Sequence, residues 1–125
     1  MTQNNRITIS KSFHFDAAHR LPWHPDKCRN LHGHTWKVDV AVTGDIQEHG
    51  IVMDFQDLKE IVNNHALNML DHQYLNKLGP EFHNPTAENL AIWITNKIKP
   101  ELGTMSVKVK VWESETSWAE YSTET

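Results

Sequence analysis

The sequence predicts an α+β fold, an antiparallel sheet of four strands with two helices on one face, in ββααββ order. Three observations predict it. Near the N-terminus and again around residues 35–42, apolar and polar residues alternate with the period of two that one-sided strands show. From residue 55 to residue 98 the apolar residues instead recur at helical spacing, in two blocks. After Pro100 the alternation returns. Two strand pairs flanking two helices place both helices on the same side of one sheet. A chain of 125 residues supports one core and is too short for two, so residues 1–125 are expected to form a single domain.

Each element follows from its own pattern. Ile7, Ile9, Phe13, Phe15 and Ala17 alternate with Thr8, Ser10, His14 and Asp16, giving the first strand. Trp36, Val38, Val40 and Val42 alternate with Thr35, Lys37, Asp39 and Ala41, giving the second. Gly44 to Gly50 reads as a turn region, and Ile51, Val52 and Met53 as a short remnant of strand. Asp54 suits a helix N-cap. Phe55, Leu58, Val62, His65 and Met69 follow with helical spacing, with Ile61 in support. Asn84 and Pro85 fit the N-cap and first position of the second helix. Its stripe is Ala87, Leu90, Ala91, Ile94 and Ile98, with Lys97 and Lys99 at the C-terminal end and Pro100 as the stop. Met105, Val107, Val109 and Val111 alternate with Ser106, Lys108 and Lys110, and Trp118 to Ser122 forms the last strand. The sheet face away from the helices would need cover, which oligomerisation can supply.

Composition narrows the function classes. The formal net charge of −4 gives no global attraction to nucleic acid or to anionic membranes. No apolar stretch reaches the length of a membrane span, and Met1 to Ser10 carry no apolar run of the secretory type. A single cysteine cannot form an internal disulfide, which fits a cytoplasmic protein. Nine histidines are many for this length.

The densest chemistry lies in Cys28-Arg29-Asn30-Leu31-His32-Gly33-His34. His32 and His34 share parity with Trp36 and Val38, so both extend the apolar face of the second strand. His19 shares parity with Phe15 and Ala17 and extends the apolar face of the first. If the two strands pair as a hairpin, the three imidazoles converge near its closed end. Three neutral imidazoles with a fourth position open form a catalytic zinc site, although iron, copper and nickel also accept such ligands. Cys28 is a competing ligand, since thiolates bind zinc well. Alternatively, flanked by Lys27 and Arg29, it serves as a base or nucleophile, or else as a small buried hydrophobe.

Two further sites involve carboxylates. Asp71 can raise and orient the adjacent His72 as a general acid, although a neighbouring pair of this kind also suits a polar helix end. Glu113 shares parity with Val107, Val109 and Val111. It either continues the apolar stripe and needs a ligand, such as the paired N–H groups of a heterocycle, or stands in water beyond the strand.

At these residues the chain resembles the 6-pyruvoyl-tetrahydropterin synthase superfamily, most closely its bacterial 6-carboxy-tetrahydropterin-forming branch. The resemblance runs from Phe13 to Tyr121. It is carried by Phe15-Asp16-Ala17-Ala18-His19-Arg20-Leu21, by Cys28 to His34, by Leu70-Asp71-His72, by Asn84-Pro85-Thr86-Ala87-Glu88-Asn89-Leu90-Ala91, and by the region of Glu113. It implies the tunnelling fold, assembled as a barrel of trimers stacked into a homohexamer with active sites between subunits. It also implies Zn2+ held by His19, His32 and His34, proton abstraction by Cys28, Asp71 and His72 as an acid–base pair, and Glu113 as the anchor of the pterin ring.

Three residues separate Cys28 from His32, as in the carboxy-forming branch, whereas the pyruvoyl-forming enzymes have a longer gap. The implied reaction converts 7,8-dihydroneopterin triphosphate to 6-carboxy-5,6,7,8-tetrahydropterin, acetaldehyde and triphosphate, toward queuosine-type 7-deazaguanines. The implied partner is this small molecule. A pyruvoyl-forming sister activity, a zinc hydrolase and a non-enzymatic pterin- or zinc-binding protein are the alternatives. After Tyr121 the chain continues Ser122-Thr123-Glu124-Thr125, without the arginine some relatives carry, which leaves Lys27, Arg29 and residues of neighbouring subunits as candidates for the triphosphate.

Overall fold

The two N-terminal alternating segments form the spine of the sheet. In the computed structural model, which describes residues 5–124, β1 (Arg6–His19) and β2 (His32–Asp45) pair antiparallel along their whole length. The register runs from Arg6 opposite Asp45 to His19 opposite His32. Residues 1–4 and Thr125, which the expected span of 1–125 includes, lie outside the described residues.

α1 (Phe55–Val62) begins at Asp54, whose carboxylate accepts the Gln56 N–H at 2.7 Å, as its N-cap position predicts. Helical backbone then continues through a π turn, Asn63–Leu67, and a closing α turn, Asn68–Leu70. The π turn corrects the expected stripe. Asn68 N–H reaches back to the Asn63 carbonyl, five residues away, and this wide turn advances the buried face by a residue. Leu58 and Val62 are buried ahead of the turn, and Ala66, Leu67 and Leu70 continue the buried face beyond it, while Met69 is about half exposed and His65 faces outward; Phe55, at the first position of the helix and before the turn, is also about half exposed.

α2 (Ala87–Ile98) buries the predicted Ala87, Leu90, Ala91, Ile94 and Ile98. Its N-cap is Thr86, not Asn84. The Thr86 hydroxyl accepts the Asn89 N–H at 3.1 Å, while the Asn84 carbonyl takes the Thr86 N–H and the Asn89 side chain. Pro85 therefore precedes the helix, with its carbonyl free to serve elsewhere.

β3 (Gln73–Tyr74), β4 (Ser106–Trp112) and β5 (Trp118–Ser122) complete the sheet in the order β3-β1-β2-β4-β5. The expected four antiparallel strands are thus present, and β3 makes the sheet five-stranded and mixed, since it runs parallel to β1 with Ala17 opposite Gln73. A two-residue strand carries no periodicity to read. Ile51, Val52 and Met53 form a bend rather than a strand, with only Val52 buried.

Phe13, Phe15, Trp36, Val38, Val40 and the β4 valines face the helices and form one core with Leu58, Leu90 and Ile94. The opposite sheet face carries Ser12, Lys37, Asp39, Lys108 and Lys110, and Trp112 on that face donates its indole N–H to Asp39 at 2.9 Å. That face is polar and does not of itself demand an apolar cover. No helix among the described residues is long and apolar enough to cross a membrane.

Candidate metal centre and proton-transfer groups

His19 ends β1 and His32 begins β2 as its register partner, with His34 two residues further on the same face. The hairpin therefore gathers the three imidazoles as their parity predicts. Their ring centroids form a near-equilateral triangle, with sides of 4.6 Å (His19–His32), 4.8 Å (His32–His34) and 5.1 Å (His19–His34). Trp36 underlies them, edge-on to His19 at 5.0 Å and to His34 at 5.3 Å. It is itself fixed by an indole N–H bond to the Ala17 carbonyl at 3.2 Å.

The backbone sets the tautomers. His19 Nδ1 lies 2.8 Å from the Pro85 carbonyl and His32 Nδ1 lies 2.7 Å from the Asn30 carbonyl. A carbonyl only accepts, so each ring carries a proton at Nδ1 and presents a bare Nε2, the arrangement that outer hydrogen bonds give metal-ligating histidines. His19 Nε2 and His34 Nε2 are buried without a hydrogen-bond partner. Buried polar atoms are otherwise almost always satisfied, so a pair of orphans aimed at one point fits a bound cation. Burial pushes the pKa values of both His19 and His34 below the ordinary 6.5, and the nearby Glu113 carboxylate only partly opposes this. Neutral rings are what metal ligation requires.

Glu113 follows the last residue of β4, and its side chain keeps to the face of the β4 valines. Its Oε1 lies 3.3 Å from His34 Nε2 and 4.0 Å from His19 Nε2. Ligand atoms of His19, His32, His34 and Glu113 all fall within 4.8 Å of one another, so this group can hold a metal ion. The strand ends before Glu113, as one of the two sequence alternatives has it, but the side chain is half-buried beside the histidines rather than left in water.

Cys28 sits in a single 3-10 turn, Lys27–Arg29, capped by Asp26. It is half-buried, and its carbonyl accepts the Leu21 N–H at 2.8 Å. Its sulfur is not a member of the metal-binding group, so the geometry does not carry the alternative in which the thiol is a ligand.

Asp71 and His72 belong to a second group, with Asp16. His72 has a φ of 61°, a left-handed conformation uncommon for a residue with a side chain. That turn brings neighbours face to face, with His72 Nδ1 3.0 Å from Asp71 Oδ2. The pair is strapped to β1, because Asp71 Oδ1 accepts the Asp16 N–H at 3.0 Å and His72 N–H donates to the Asp16 carbonyl at 2.6 Å. The Asp16 hydrogen bond, reinforced by His72, holds the Asp71 carboxyl below its ordinary range. The two groups are distinct, but an open cavity of about 570 Å3 is lined by members of both, including His34, Asp16 and His72.

Sequence reasoning missed Asp16, which looks like any solvent-facing strand residue. It also missed the Pro85 and Asn30 carbonyls, because a backbone acceptor leaves no mark in side-chain chemistry.

The family model described as 6-pyruvoyl tetrahydropterin synthase matches residues 8–124. The 6-carboxy-5,6,7,8-tetrahydropterin synthase of Haemophilus influenzae is 38% identical over 136 aligned positions, covering 90% of this chain and 96% of that protein. The Synechocystis protein of the same name is 45% identical over 120 positions, covering 90% of this chain and 91% of its own. Among solved structures, Caenorhabditis elegans 6-pyruvoyl tetrahydropterin synthase superposes with a TM-score of 0.84 at 27% identity, covering 97% of this chain and 98% of that one.

Proposed function

The chain belongs to the 6-pyruvoyl tetrahydropterin synthase family, and from that premise we propose that it is a zinc-dependent 6-carboxy-5,6,7,8-tetrahydropterin synthase. Its substrate is 7,8-dihydroneopterin triphosphate. The carbon–carbon bond within the substrate's side chain breaks, with uptake of water, leaving a carboxyl group on the ring and releasing acetaldehyde and triphosphate. The product serves queuosine-type 7-deazaguanine synthesis in the cytoplasm. The observation that carries the proposal is the convergence of His19, His32 and His34 at the closed end of the hairpin, with the Nε2 atoms of His19 and His34 buried and without a hydrogen-bond partner. The names of the Haemophilus and Synechocystis relatives, and the three-residue spacing from Cys28 to His32, support the carboxy-forming branch.

Roles follow from chemistry and position. Zinc bound to the three imidazoles would supply a Lewis acid for the oxygens of the substrate side chain. Cys28, on a short turn ahead of His32, takes a proton from a side-chain carbon. His72 delivers or accepts a proton, with Asp71 fixing its Nδ1 and steadying its charged form. Glu113 accepts the paired N–H groups of the pterin and so sets the distance from ring to metal. Asp71 and His72 form a group apart from the histidine centre of the same chain, and the resemblance to the family supports a homohexamer in which active sites lie between protomers.

Product identification tests this. Zinc-loaded protein is incubated with 7,8-dihydroneopterin triphosphate, acetaldehyde is trapped, and the pterin is identified by mass spectrometry. A 6-carboxy pterin with matching acetaldehyde is expected. A 6-pyruvoyl product without acetaldehyde would move the chain to the sister activity, and binding without turnover would leave a pterin-binding protein.

A further inference from the structure

The turn that carries Cys28 is held at its neck by the residue that directly follows His19. Arg20 stands where β1 ends, and the chain does not rejoin the sheet until His32. Two hydrogen bonds close the neck of the segment between them. The Leu21 N–H donates to the Cys28 carbonyl at 2.8 Å, and Arg20 Nε donates to the Arg29 carbonyl at 3.0 Å. Cys28 is thus pinned through its own carbonyl and through that of the next residue.

A side chain makes the second bond, because the Arg20 backbone is already engaged elsewhere. Its N–H donates to Asn76 Oδ1 at 2.9 Å, and its carbonyl accepts a bond from Asn76 Nδ2 at 2.9 Å. β3 accompanies β1 only as far as Tyr74 opposite Ala18. Asn76 lies in the 3-10 turn that follows, Leu75–Lys77, and is half-buried. Its side-chain amide offers one donor and one acceptor to Arg20, as a further strand residue would. Clasping the Arg20 backbone fixes the root from which its guanidinium reaches Arg29. Lysine has no donor at the Nε position, so that reach is particular to arginine.

We propose that Arg20 and Asn76 are positioning residues for the Cys28 thiol, keeping the turn Lys27–Arg29 docked at the end of the hairpin. The docking stands on geometry, and its consequence for turnover rests on the proposed role of Cys28 as the base. Asn76 is 56 residues from Arg20 in the chain, so the place of the thiol depends on a long-range contact. Proton transfer is sensitive to such placement, since a misplacement of about 1 Å can cost ~100-fold in rate. Global stability depends on it little, because the Arg20 bonds are exposed and water competes for the same groups.

Asn76→Ala and Arg20→Lys test this, the first removing the clasp without altering charge and the second keeping the charge without the Nε donor. Cys28 is the single cysteine of the chain, so alkylation by iodoacetamide reports on it alone. In zinc-loaded protein, at alkaline pH where the thiol is ionised in every variant, both substitutions are expected to speed alkylation several-fold as the half-buried thiol is let out. In both, kcat for 7,8-dihydroneopterin triphosphate should fall by ~10–100-fold, with KM within about twofold of wild type. Zinc content and circular dichroism should match wild type. Unchanged alkylation in both variants would overturn the docking, and an unchanged kcat in both would overturn the positioning role. A rise in KM without a fall in kcat would make Arg20 a triphosphate contact instead, and loss of zinc would make the clasp a support for His19; either would also overturn the proposal. Failure of the lyase reading would appear separately, as absence of product from a wild type whose alkylation still depends on Asn76.

Discussion

Asp71→Asn isolates the proton-transfer role of the Asp71–His72 pair. The carboxylate serves two partners, with Oδ1 taking the Asp16 N–H at 3.0 Å and Oδ2 lying 3.0 Å from His72 Nδ1. Asparagine has the same shape, and its carbonyl can keep the Asp16 bond. Its NH2 then faces His72 Nδ1 as a donor. The ring can accept that bond only by moving its proton to Nε2, and it loses the negative charge that steadies the imidazolium. General acid–base catalysis by one group contributes ~10²–10⁴-fold, so kcat for 7,8-dihydroneopterin triphosphate is expected to fall within that range. Stability should change by less than about 1 kcal/mol, because the altered hydrogen bond is solvent-exposed and screened. Zinc content should not change, since Asp71 belongs to the other group. Asp71 titrates below its ordinary range, first because of the Asp16 N–H and then because of His72. Its contribution to the fold is therefore present above the ordinary carboxylate pKa and is lost as pH falls through the depressed folded value. The assay is steady-state turnover of zinc-matched wild type and variant. A variant kcat within about twofold of wild type would remove the pair from proton transfer.

Further expectations bear on the rest of the site and the fold. Cys28→Ala should retain zinc and assembly but lose nearly all turnover; measured loss of zinc would instead make the thiol a ligand. His34→Ala should deplete bound zinc by metal analysis, and full occupancy in that variant would overturn the triad. In the metal-free protein, burial depresses His19 and His34, so the unfolded chain with its ordinary 6.5 takes up protons first. Stability should therefore be full above 6.5 and decline as pH falls below it, until the folded rings also protonate; urea midpoints from about pH 8 to 5 would show this, and a flat profile would contradict it. Ile94→Ala, at a wholly buried position, should cost about 2–5 kcal/mol, read as a shift in the urea midpoint at unchanged slope.

The histidine centre was legible because strand parity is strict. Once Phe15, Ala17 and His19 share a face with Trp36, His34 and His32, pairing the two strands brings the rings together whatever the details of the turn. The helix stripes were legible for the same reason, up to the point where backbone geometry changed the period. The π turn at Asn63–Leu67 has no side-chain signature, so His65 and Met69, which continue the regular helical spacing, face out instead of joining the buried face. The cap of α2 moved from Asn84 to Thr86 because both side chains suit a cap. The choice depends on the Pro85 carbonyl being turned toward His19, a long-range contact. The facing of His72 onto Asp71 depends on a left-handed backbone that the dipeptide does not announce. β3 exists because that same dipeptide straps the chain to Asp16 and lays Gln73 and Tyr74 alongside β1. Glu113 was ambiguous because parity gives the direction of a side chain but not its reach.

The central claim, that His19, His32 and His34 hold the metal, is tested most directly by anomalous diffraction at the zinc edge from crystals of the zinc-loaded protein. One anomalous peak per chain is expected, within about 2.0–2.1 Å of the three Nε2 atoms and with the Cys28 sulfur outside the coordination shell. Zinc bound instead at Asp16, Asp71 and His72, or coordinated by the Cys28 sulfur, would contradict it.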